Sequence, residues 1–530
     1  MKNVDVAIIG GGLAGSLLAR QLRRQSPHLS VALFERDRER SFKVGESTVE
    51  IATSYLTRRL GLSTYLYHHH LPKNGLRFFF DDAAKQTPLE EMSEIGLAGL
   101  PTYPSFQLDR ARLEADLLEM NAEDGVDVHV GARVTGLTLA PAEASAGTTP
   151  KHTFQVREDD ADSAWSARWV VDASGRGGVL GRQLELRVPE RGHRVAAAWG
   201  RFEGVRDMDD WAAPEWLARA RHTTRALSTN HFCYAGYWIW FIPLRGGVTS
   251  VGIVADAAQW NRACHEPEGF QEKLREHRAV ADLLEEAGLV DHGAFAQLAF
   301  RTRRFFGDAR WAVVGDAAAF VDPFYSPGSD FIALENDMVA DLIARETAGE
   351  AMGERTEAYD AFLKLRFDAA MLLYEGLYET FGSYEIMRAK VFFDCACYYN
   401  LWFDTYARDE HLDLRKVRGT LRRQRPVLTA MRNMAQAFTD ASRSLTTHGH
   451  YHRQNRGIGL HDGQDAFGPI ADVGAKRRRP IVDRRSEEVF NRTLELLTQA
   501  VRGEDAPYVP RPMWEMADEG VAFLNGVGAH

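Results

Sequence analysis

The first 35 residues constrain the fold most strongly, because they combine a strand, a glycine-rich turn, a helix and a second strand. The run 4–9, which is apolar except for Asp5, is typical of a buried strand in a parallel sheet, and residues 16–25 after the turn predict a helix. A second strand is predicted over 31–34 and ends at Glu35, 20 residues beyond Gly15. This order is that of a dinucleotide-binding unit, in which such an acidic residue accepts hydrogen bonds from an adenosine ribose.

The turn has the spacing GxGxxG and reads Gly10-Gly11-Gly12-Leu13-Ala14-Gly15. Gly10 allows a tight turn, Gly12 lets the backbone approach a pyrophosphate, and Gly15 lets the helix pack closely on the strand. Leu13 and Ala14 lie at the helix N-terminus, where backbone amides and the helix dipole favour phosphate. We therefore predict that these residues bind a dinucleotide cofactor. The motif alone does not separate FAD from NAD.

Two later strands favour FAD. Residues 170–176 indicate an apolar strand followed by a polar turn, and Asp172 lies at their junction. A strand predicted over 311–314 runs into Gly315-Asp316. This pair looks like the GD motif of FAD-dependent enzymes of the hydroxylase type, in which the aspartate contacts the ribityl chain. The alternative for Asp316 is a helix cap on a loop.

Asp109 and Arg110 precede a helix predicted over 111–120. Asp109 can cap this helix, and Arg110 can contact FAD. The sequence contains no second GxGxxG, so it shows no separate unit of that kind for NAD(P)H. We therefore expect FADH2 to come from a separate NAD(P)H-dependent flavin reductase.

Two tryptophans are separated by one residue in Trp238-Ile239-Trp240-Phe241-Ile242-Pro243. On a strand, residues i and i+2 point to the same face, so Trp238 and Trp240 together can wall off one side of a flavin. The alternative is a pair of apolar side chains in a sheet core, because tryptophan is a favourable strand residue.

Together these motifs resemble those of the flavin-dependent halogenase family, in the broad group known from tryptophan halogenases. The resemblance extends over about 3–345 and follows the family's order of motifs. The motifs are 10–15, Val44-Gly45-Glu46-Ser47, Lys73, Asp109-Arg110, 172–175, 238–243, Gly315-Asp316 and Asp322-Pro323-Phe324-Tyr325-Ser326-Pro327-Gly328. The family implies an α/β fold with an FAD-binding Rossmann-like domain of the hydroxylase type. A second, mainly antiparallel β-sheet subdomain and a C-terminal helical region are also implied.

The FAD-binding domain is predicted to be discontinuous and to consist of 1–75, 105–180 and 300–345. Residues 76–104 and 181–299 are predicted to form the β-sheet subdomain, which covers the flavin. Residues 346–530 are predicted to be mostly helical and to cover the substrate. Four side chains in this region follow the spacing of one helix face: Tyr374, Tyr378, Phe381 and Glu385.

The resemblance also implies the chemistry. Reduced flavin and O2 give a C4a-hydroperoxide, halide attacks its distal oxygen to give hypohalous acid, and this acid passes through a tunnel to a lysine beside the substrate. The matching residue is Lys73. Its ammonium can hydrogen-bond hypohalous acid, or a neutral amine of lowered pKa can form a haloamine. Taken alone, Lys73 is also compatible with a lysine on the protein surface. Lys43 is the other candidate for halogen delivery, but in relatives its position lies on the flavin side of the site.

In such enzymes the loop Ser326-Pro327-Gly328-Ser329 lies at the flavin ring, where its backbone amides can form a nest for chloride or bromide. FAD contacts are further implied for Glu46, Ser47, Pro323 and Gly328. Asp330 follows two residues after Gly328, and a carboxylate close to the nest would repel halide. A halogenase-like monooxygenase or oxidase without halide use is therefore the alternative function, unless Asp330 points away as a helix cap.

Tyr325 stands where tryptophan halogenases carry a glutamate that acts on the substrate. This difference favours an electron-rich phenol or pyrrole over free tryptophan, either free or tethered to an acyl carrier protein. The sequence leaves open the choice of chloride or bromide, the position of halogenation and whether the protein forms a homodimer.

The composition limits the remaining functions. The chain has 530 residues and a net charge of −10 at pH 7, which argues against a general nucleic-acid binder. No apolar run approaches the length of a membrane span. Four cysteines do not make a disulfide framework, and we predict no metal site. We expect a reduced, cytoplasmic enzyme.

Overall fold

The computed structural model describes residues 1–39, 41–141, 151–159, 161–211, 213–462, 473, 479–503 and 505–510. The sequence predicts a hairpin loop over 141–150, of which only the first residue is described. The region predicted over 346–530 is described continuously as far as 462 and in parts beyond it.

The first sheet has eight strands and is built around Lys2–Ile9, which pairs in parallel with Val31–Glu35 and with Ala161–Asp172. The helix Leu13–Gln25 connects the two N-terminal strands, as predicted. The apolar residues of these two N-terminal strands are buried on both faces of the sheet, as parallel sheets require. The order across the sheet is Phe306–Gly307, Trp311–Val313, Ala161–Asp172, Lys2–Ile9, Val31–Glu35 and Asp127–Val130, with Ala132–Thr138 and His152–Glu158 as an antiparallel extension beside Ala161–Asp172.

The second sheet also has eight strands, and most neighbouring pairs are antiparallel, as predicted. The parallel pairs are those of Leu76–Phe80 with Thr229–Tyr234 and of Ser93–Gly96 with Leu460–Asp462. The order is Gly288–Phe295, Val195–Glu203, Val248–Asp256, Tyr237–Pro243, Thr229–Tyr234, Leu76–Phe80, Ser93–Gly96 and Leu460–Asp462. Two further sheets have two short antiparallel strands each. One pairs Leu71–Pro72 with Phe106–Gln107, and the other pairs Arg187–Pro189 with Phe300–Thr302.

Five long helices dominate the C-terminal part of the chain: Gly328–Thr347, Gly353–Met371, Tyr384–Cys397, Gln424–Thr447 and Arg479–Arg502. The remaining α-helices are Glu50–Ser54, Ser63–His69, Arg110–Glu123, Val179–Gln183, Met208–Trp211, Pro214–Leu217, Pro267–Arg275, Arg278–Leu283, Asp404–Ala407 and Leu414–Arg422. Within the described ranges, no helix combines the length and the apolar character that are needed to cross a membrane.

The single helix face predicted from Tyr374 to Glu385 is wrong. The helix Gly353–Met371 ends before this stretch, and the next helix begins at Tyr384. Gly376 between them adopts a φ of 72°, a left-handed conformation that interrupts a helix. Tyr374, like Tyr378 and Phe381, is nevertheless buried in the core.

The second sheet presents its two tryptophans to the C-terminal helices. Trp238 and Trp240 belong to the same core cluster as Tyr378. Ile239 and Phe241 belong to a separate cluster on the opposite face of the sheet. The prediction that the two indoles share one face is therefore confirmed.

Candidate active site

Two adjoining cavities lie where the two sheets meet the C-terminal helices, and both are lined by Pro327 and Phe331. The first, called here the loop cavity, is lined by the loop 44–47, the two tryptophans and the loop 326–329. The second, called here the helix cavity, is lined by Lys73 and by side chains of the C-terminal helices. The helix cavity encloses about 1210 Å³, counting the space open to solvent at its mouth.

The loop cavity brings together many of the residues predicted to act on cofactor and halide. They are Glu46, Ser47, Trp238, Trp240, Gly315, Asp316, Pro323, Ser326, Pro327, Gly328 and Ser329. Its lining also includes Thr229, His231 and Asp322, which the sequence reasoning did not assign to the site. The other predicted cofactor residues lie outside this lining, around the first sheet and the helix beside it: Gly10, Gly12, Leu13, Ala14, Gly15, Glu35, Arg110 and Asp172.

The glycine-rich turn has the shape that a dinucleotide requires. Gly10 adopts a φ of 108°, and a side chain there would overlap the backbone of Ala173. A side chain at Gly15 would overlap the carbonyl oxygen of Gly10. At Gly12 the nearest atom to an added Cβ is 3.8 Å away, so this turn leaves open space beside its backbone. Residues 10–15 therefore fit a cofactor with a pyrophosphate.

Outside the loop cavity, the three predicted cofactor residues with polar side chains have protein partners in the structure. Glu35 accepts a hydrogen bond of 2.6 Å from the Gly11 amide. The two oxygens of Asp172 accept hydrogen bonds from the Ser174 amide and hydroxyl and from the Leu180 amide, so this carboxylate holds the turn after its strand. Arg110 forms an ion pair with Glu114. Their contacts with a cofactor stay predictions.

Asp109 caps the helix Arg110–Glu123, as predicted. Its side chain accepts a hydrogen bond from the Arg112 amide at 3.1 Å, which satisfies one of the free amides of the first helical turn.

The two indoles are held rigidly at the wall of the loop cavity. Their ring centroids lie 5.7 Å apart. Trp238 Nε1 donates to the Tyr378 hydroxyl and Trp240 Nε1 donates to the Ser250 hydroxyl, each at 3.2 Å. The Trp240 ring lies over Gly252, where any side chain would overlap it. Packing and hydrogen bonds therefore fix the ring positions before any ligand binds.

Tyr378 in turn belongs to a buried polar chain. Its hydroxyl donates to Asp322 Oδ2 at 2.7 Å, and His193 Nε2 lies 2.7 Å from the same oxygen. Asp322 lines the loop cavity, and its other oxygen accepts a hydrogen bond from the Phe324 amide. This chain links the orientation of Trp238 to the loop that precedes Ser326.

Lys73 lies at the junction of the two cavities. It is 2% exposed, and its Nζ donates to Ser47 Oγ and to the Thr48 carbonyl oxygen, each at 2.8 Å. Lys73 lines the helix cavity, whereas Ser47 lines the loop cavity. Burial lowers the pKa of Lys73 to about 8. The rival Lys43 forms an ion pair with Glu114, with its side chain 40% exposed.

The loop 326–329 presents a helix N-terminus to the loop cavity. Ser326 adopts a φ of 56°, and its amide already donates to the Pro323 carbonyl oxygen. The helix begins at Gly328, and Ser329 follows it. The Ser329 hydroxyl is buried without a hydrogen-bond partner within the described residues. The amides of the first helical turn and this hydroxyl are the donors that an anion could meet.

Asp330 lines the helix cavity and is absent from the described lining of the loop cavity. Its oxygens accept hydrogen bonds from the Ala52 amide at 2.8 Å and from the Tyr398 hydroxyl at 3.0 Å. Burial raises the pKa of Asp330 to about 7. The two hydrogen bonds of Asp330 therefore join the helix Glu50–Ser54 to Tyr398, which directly follows the helix Tyr384–Cys397.

The sequence reasoning also missed Asp394, which lines the helix cavity. Its Oδ2 accepts hydrogen bonds from the Tyr325 hydroxyl at 2.8 Å and from Lys390 Nζ at 2.6 Å. Its Oδ1 is buried and has no hydrogen-bond partner within the described part of the chain. Burial raises the pKa of Asp394. A charged residue between apolar neighbours in 391–397 is the sequence signal that could have found it.

Comparison with known proteins identifies the family. A sequence profile of the FAD binding domain matches residues 3–371. The chain belongs to the FAD-binding domain family. Its relatives include "Flavin-dependent halogenase chlA" of Dictyostelium discoideum, 28% identical over 443 residues, which are 78% of this chain and 72% of that protein. A 1H-pyrrole-2-carbonyl-[peptidyl-carrier protein] brominase of Pseudoalteromonas luteoviolacea is 26% identical over 400 residues, 73% of this chain and 88% of that protein.

A solved structure of similar shape supports the fold of this family member. The crystal structure of halogenase PltM matches with a TM-score of 0.66 at 16% identity, over 95% of this chain and 99% of that one. The predicted α/β fold with a helical C-terminal region is therefore confirmed. The sequence relatives confirm the predicted flavin-dependent halogenase family, the FAD cofactor and the oxidoreductase class.

Proposed function

We propose that this family member uses FADH2 and O2 to place chloride or bromide on an electron-rich phenol or pyrrole. The observation that carries the proposal is the buried Lys73, whose ammonium contacts Ser47 in the loop cavity while it lines the helix cavity. FAD, when reduced and bound, supplies the reaction of O2 that oxidises halide. The protein's own residues bind halide, orient the oxidised halogen and hold the substrate.

Residues 10–15, with Glu35, Arg110 and Asp172, are proposed to hold the adenosine and pyrophosphate part of FAD. Glu46, Ser47, Gly315, Asp316, Pro323 and Gly328 are proposed to surround its flavin end in the loop cavity. Trp238 and Trp240 form a wall of that cavity, so they can exclude water and other reactants from one side of the flavin.

Halide is proposed to bind at the start of the helix Gly328–Thr347. The donors are the amides of Gly328 and Ser329 and the unpartnered Ser329 hydroxyl. Pro327 has no amide hydrogen and contributes only the shape of the loop. A relative named as a brominase supports halide as the second substrate. Because Asp330 engages Ala52 and Tyr398, no observation favours the alternative without halide use.

Lys73 is proposed to deliver the halogen as an ammonium. Two of its three donors engage Ser47 and Thr48, which leaves one N–H for hypohalous acid. That hydrogen bond fixes the acid beside the helix cavity and increases the positive character of its halogen. The electron-rich ring then attacks this atom, the bond between oxygen and halogen breaks, and the carbon that gains the halogen loses its proton. The released hydroxide and this proton together make one water molecule.

The substrate is proposed to carry an O–H or N–H group that donates to Asp394 Oδ1. This oxygen is the buried acceptor that lacks a partner, and both phenols and pyrroles have such a donor. The brominase relative is named for a pyrrole held on a carrier protein, which supports both the pyrrole and the carrier as candidates. The shared chemistry is an electron-rich ring with a hydrogen-bond donor.

The reduced flavin is proposed to come from a separate NAD(P)H-dependent flavin reductase. We also propose a cytoplasmic location, because the four cysteines are free, as is usual in a reducing compartment.

The deciding experiment is mass spectrometry of products formed from a panel of phenols and pyrroles with FAD, flavin reductase, NADH and O2. Reactions contain chloride, bromide or neither. A halogen isotope pattern that requires halide is expected, and Lys73→Ala should abolish it while FAD still binds. Lys151→Ala, which changes a surface lysine bonded to Asn3, is the matched control. Full halogenation by Lys73→Ala would contradict the proposal.

A further inference from the structure

Arg366 is a buried cation that no carboxylate of the described residues contacts in an ion pair. It belongs to the helix Gly353–Met371, is 6% exposed and lines the helix cavity. Its guanidinium carbon lies 3.5 Å from the centre of the Trp402 ring. Its Nη1 is fully buried, and within the described residues the side chain has neither a hydrogen bond nor an ion pair. Trp402 therefore packs against the guanidinium, while the guanidinium donors have no hydrogen-bond partner among the described residues.

The other buried arginines of the described chain have protein partners, and for Arg310, which is 7% exposed, that partner is the Arg168 carbonyl oxygen. Arg77 and Arg225 both form ion pairs with Glu94, and Arg201 forms one with Glu46. These pairs follow the general rule that a buried charge needs a counter-charge and hydrogen bonds. Arg366 departs from this rule at the wall of a large cavity, so its partner is expected to enter that cavity.

The described carboxyl groups that line the helix cavity form no ion pair with Arg366. Asp330 attracts the guanidinium electrostatically, but its oxygens are engaged by Ala52 and Tyr398. Asp394 is engaged by Lys390 and by Tyr325. Glu50, which also lines the cavity, accepts a hydrogen bond from Tyr399.

We propose that Arg366 binds a carboxylate on the aromatic substrate, so that the preferred substrates are free aromatic acids. The proposal rests on the proposed function, because it assigns the substrate of that same site. A guanidinium presents parallel N–H donors that match the two oxygens of a carboxylate. Asp394 at the same cavity accepts the ring O–H or N–H, so the two residues together recognise an acid group and a donor on one ring.

The proposal separates free acids from carrier-bound substrates. Attachment to a carrier converts a carboxylate into a neutral thioester, which removes the charge that Arg366 requires. A carboxamide also lacks the negative charge, and it has almost the same shape as the carboxylate. Matched acid and amide pairs are therefore the direct probes of this residue.

The test is calorimetric binding to the FAD-loaded protein, without reductase or halide. The probes are pyrrole-2-carboxylate, indole-2-carboxylate and 4-hydroxybenzoate, each paired with its carboxamide. For the wild type, at least one acid is expected to bind about tenfold or more tightly than its amide, as a charged hydrogen bond would give. Arg366→Gln should remove this preference by weakening acid binding far more than amide binding, while Arg366→Lys should retain part of it.

Thermal unfolding of ligand-free protein supplies a second measurement. Arg366→Met is expected to keep or raise the midpoint, because it replaces an unpaired buried cation with an apolar side chain. Arg422→Met, at an exposed helix position, is the matched control. A large fall of the midpoint for Arg366→Met alone would assign a structural role and overturn the proposal.

The binding measurement also tells apart a failure of the carboxylate site from a failure of the proposed halogenation. If an acid is preferred through Arg366 but never halogenated, the carboxylate site stands and the halogenase function fails. If no acid in the panel is preferred over its amide, including the case in which neither binds, the carboxylate site is overturned. Halogenation of neutral phenols or pyrroles in the same panel would leave the proposed function intact.

Discussion

Lys73 Nζ donates a hydrogen bond of 2.8 Å to Ser47 Oγ, and the two residues line different cavities. Ser47 lies in the loop that carries Glu46 into the loop cavity, whereas Lys73 follows the short strand Leu71–Pro72. The hydrogen bond therefore connects the proposed flavin end to the proposed substrate end of the site. Any reagent that passes between the cavities at this point meets the ammonium.

The pH dependence of halogenation is expected to report the ammonium of Lys73. Burial lowers its pKa to about 8, so the proton is held below that pH and lost above it. The rate at saturating FADH2 should then fall about tenfold for each pH unit well above the pKa. Lys73→Arg, which does not titrate in this range, should lose this inflection. A rate that rises through the same pH range would show instead that the neutral amine of Lys73 is the form that delivers the halogen.

Removing the Ser329 hydroxyl is expected to weaken halide binding without destabilising the protein. The hydroxyl is buried and has no hydrogen-bond partner among the described residues, so folding gains little from it. Ser329→Ala should change the free energy of unfolding by less than about 1 kcal/mol and raise KM for bromide about tenfold. Initial rates over a bromide series measure the effect. An unchanged KM would remove Ser329 from the halide site.

The cofactor part of the site could be predicted from sequence because its signals are local. The strand, the glycine turn 10–15, the helix and Glu35 are contiguous, and each glycine has its own steric requirement. Lys73 and the two tryptophans came from short motifs in a known order. The structure then joined these separate motifs around two cavities.

The substrate part could not be predicted in the same way, because it depends on how the C-terminal helices pack. Asp394 and Arg366 lie on different helices, and no periodic pattern in either helix indicates that they share a cavity. The prediction of one helix through 374–385 was wrong because Gly376 turns the chain between the helices Gly353–Met371 and Tyr384–Cys397. Charged residues with apolar neighbours were the signals available in the sequence.

A side chain at residue 252 is expected to displace Trp240. The indole lies directly over Gly252, so Gly252→Ala requires the ring or the strand to move. We expect a loss of about 1–3 kcal/mol in the free energy of unfolding and weaker FAD binding. Urea unfolding and FAD titration measure these effects.

Gly419→Ala is the control for that substitution. Gly419 lies in the helix Leu414–Arg422 with no atom within 4 Å of an added Cβ. Alanine there should stabilise the protein by about 0.5–1 kcal/mol and leave FAD binding unchanged. Normal FAD binding by Gly252→Ala would show that the position of Trp240 does not matter for the cofactor.

Replacing the polar cluster around Asp394 tests its role toward substrate. The single variant Asp394→Leu leaves Lys390 buried without its counter-charge and should cost about 3–5 kcal/mol. The triple variant Tyr325→Phe, Lys390→Met, Asp394→Leu removes all three polar groups together, so it should unfold at nearly the wild-type denaturant concentration. Its KM for a phenol should nevertheless rise about tenfold, because the ring hydroxyl loses its acceptor. A stable triple variant with the wild-type KM would show that substrate does not use Asp394.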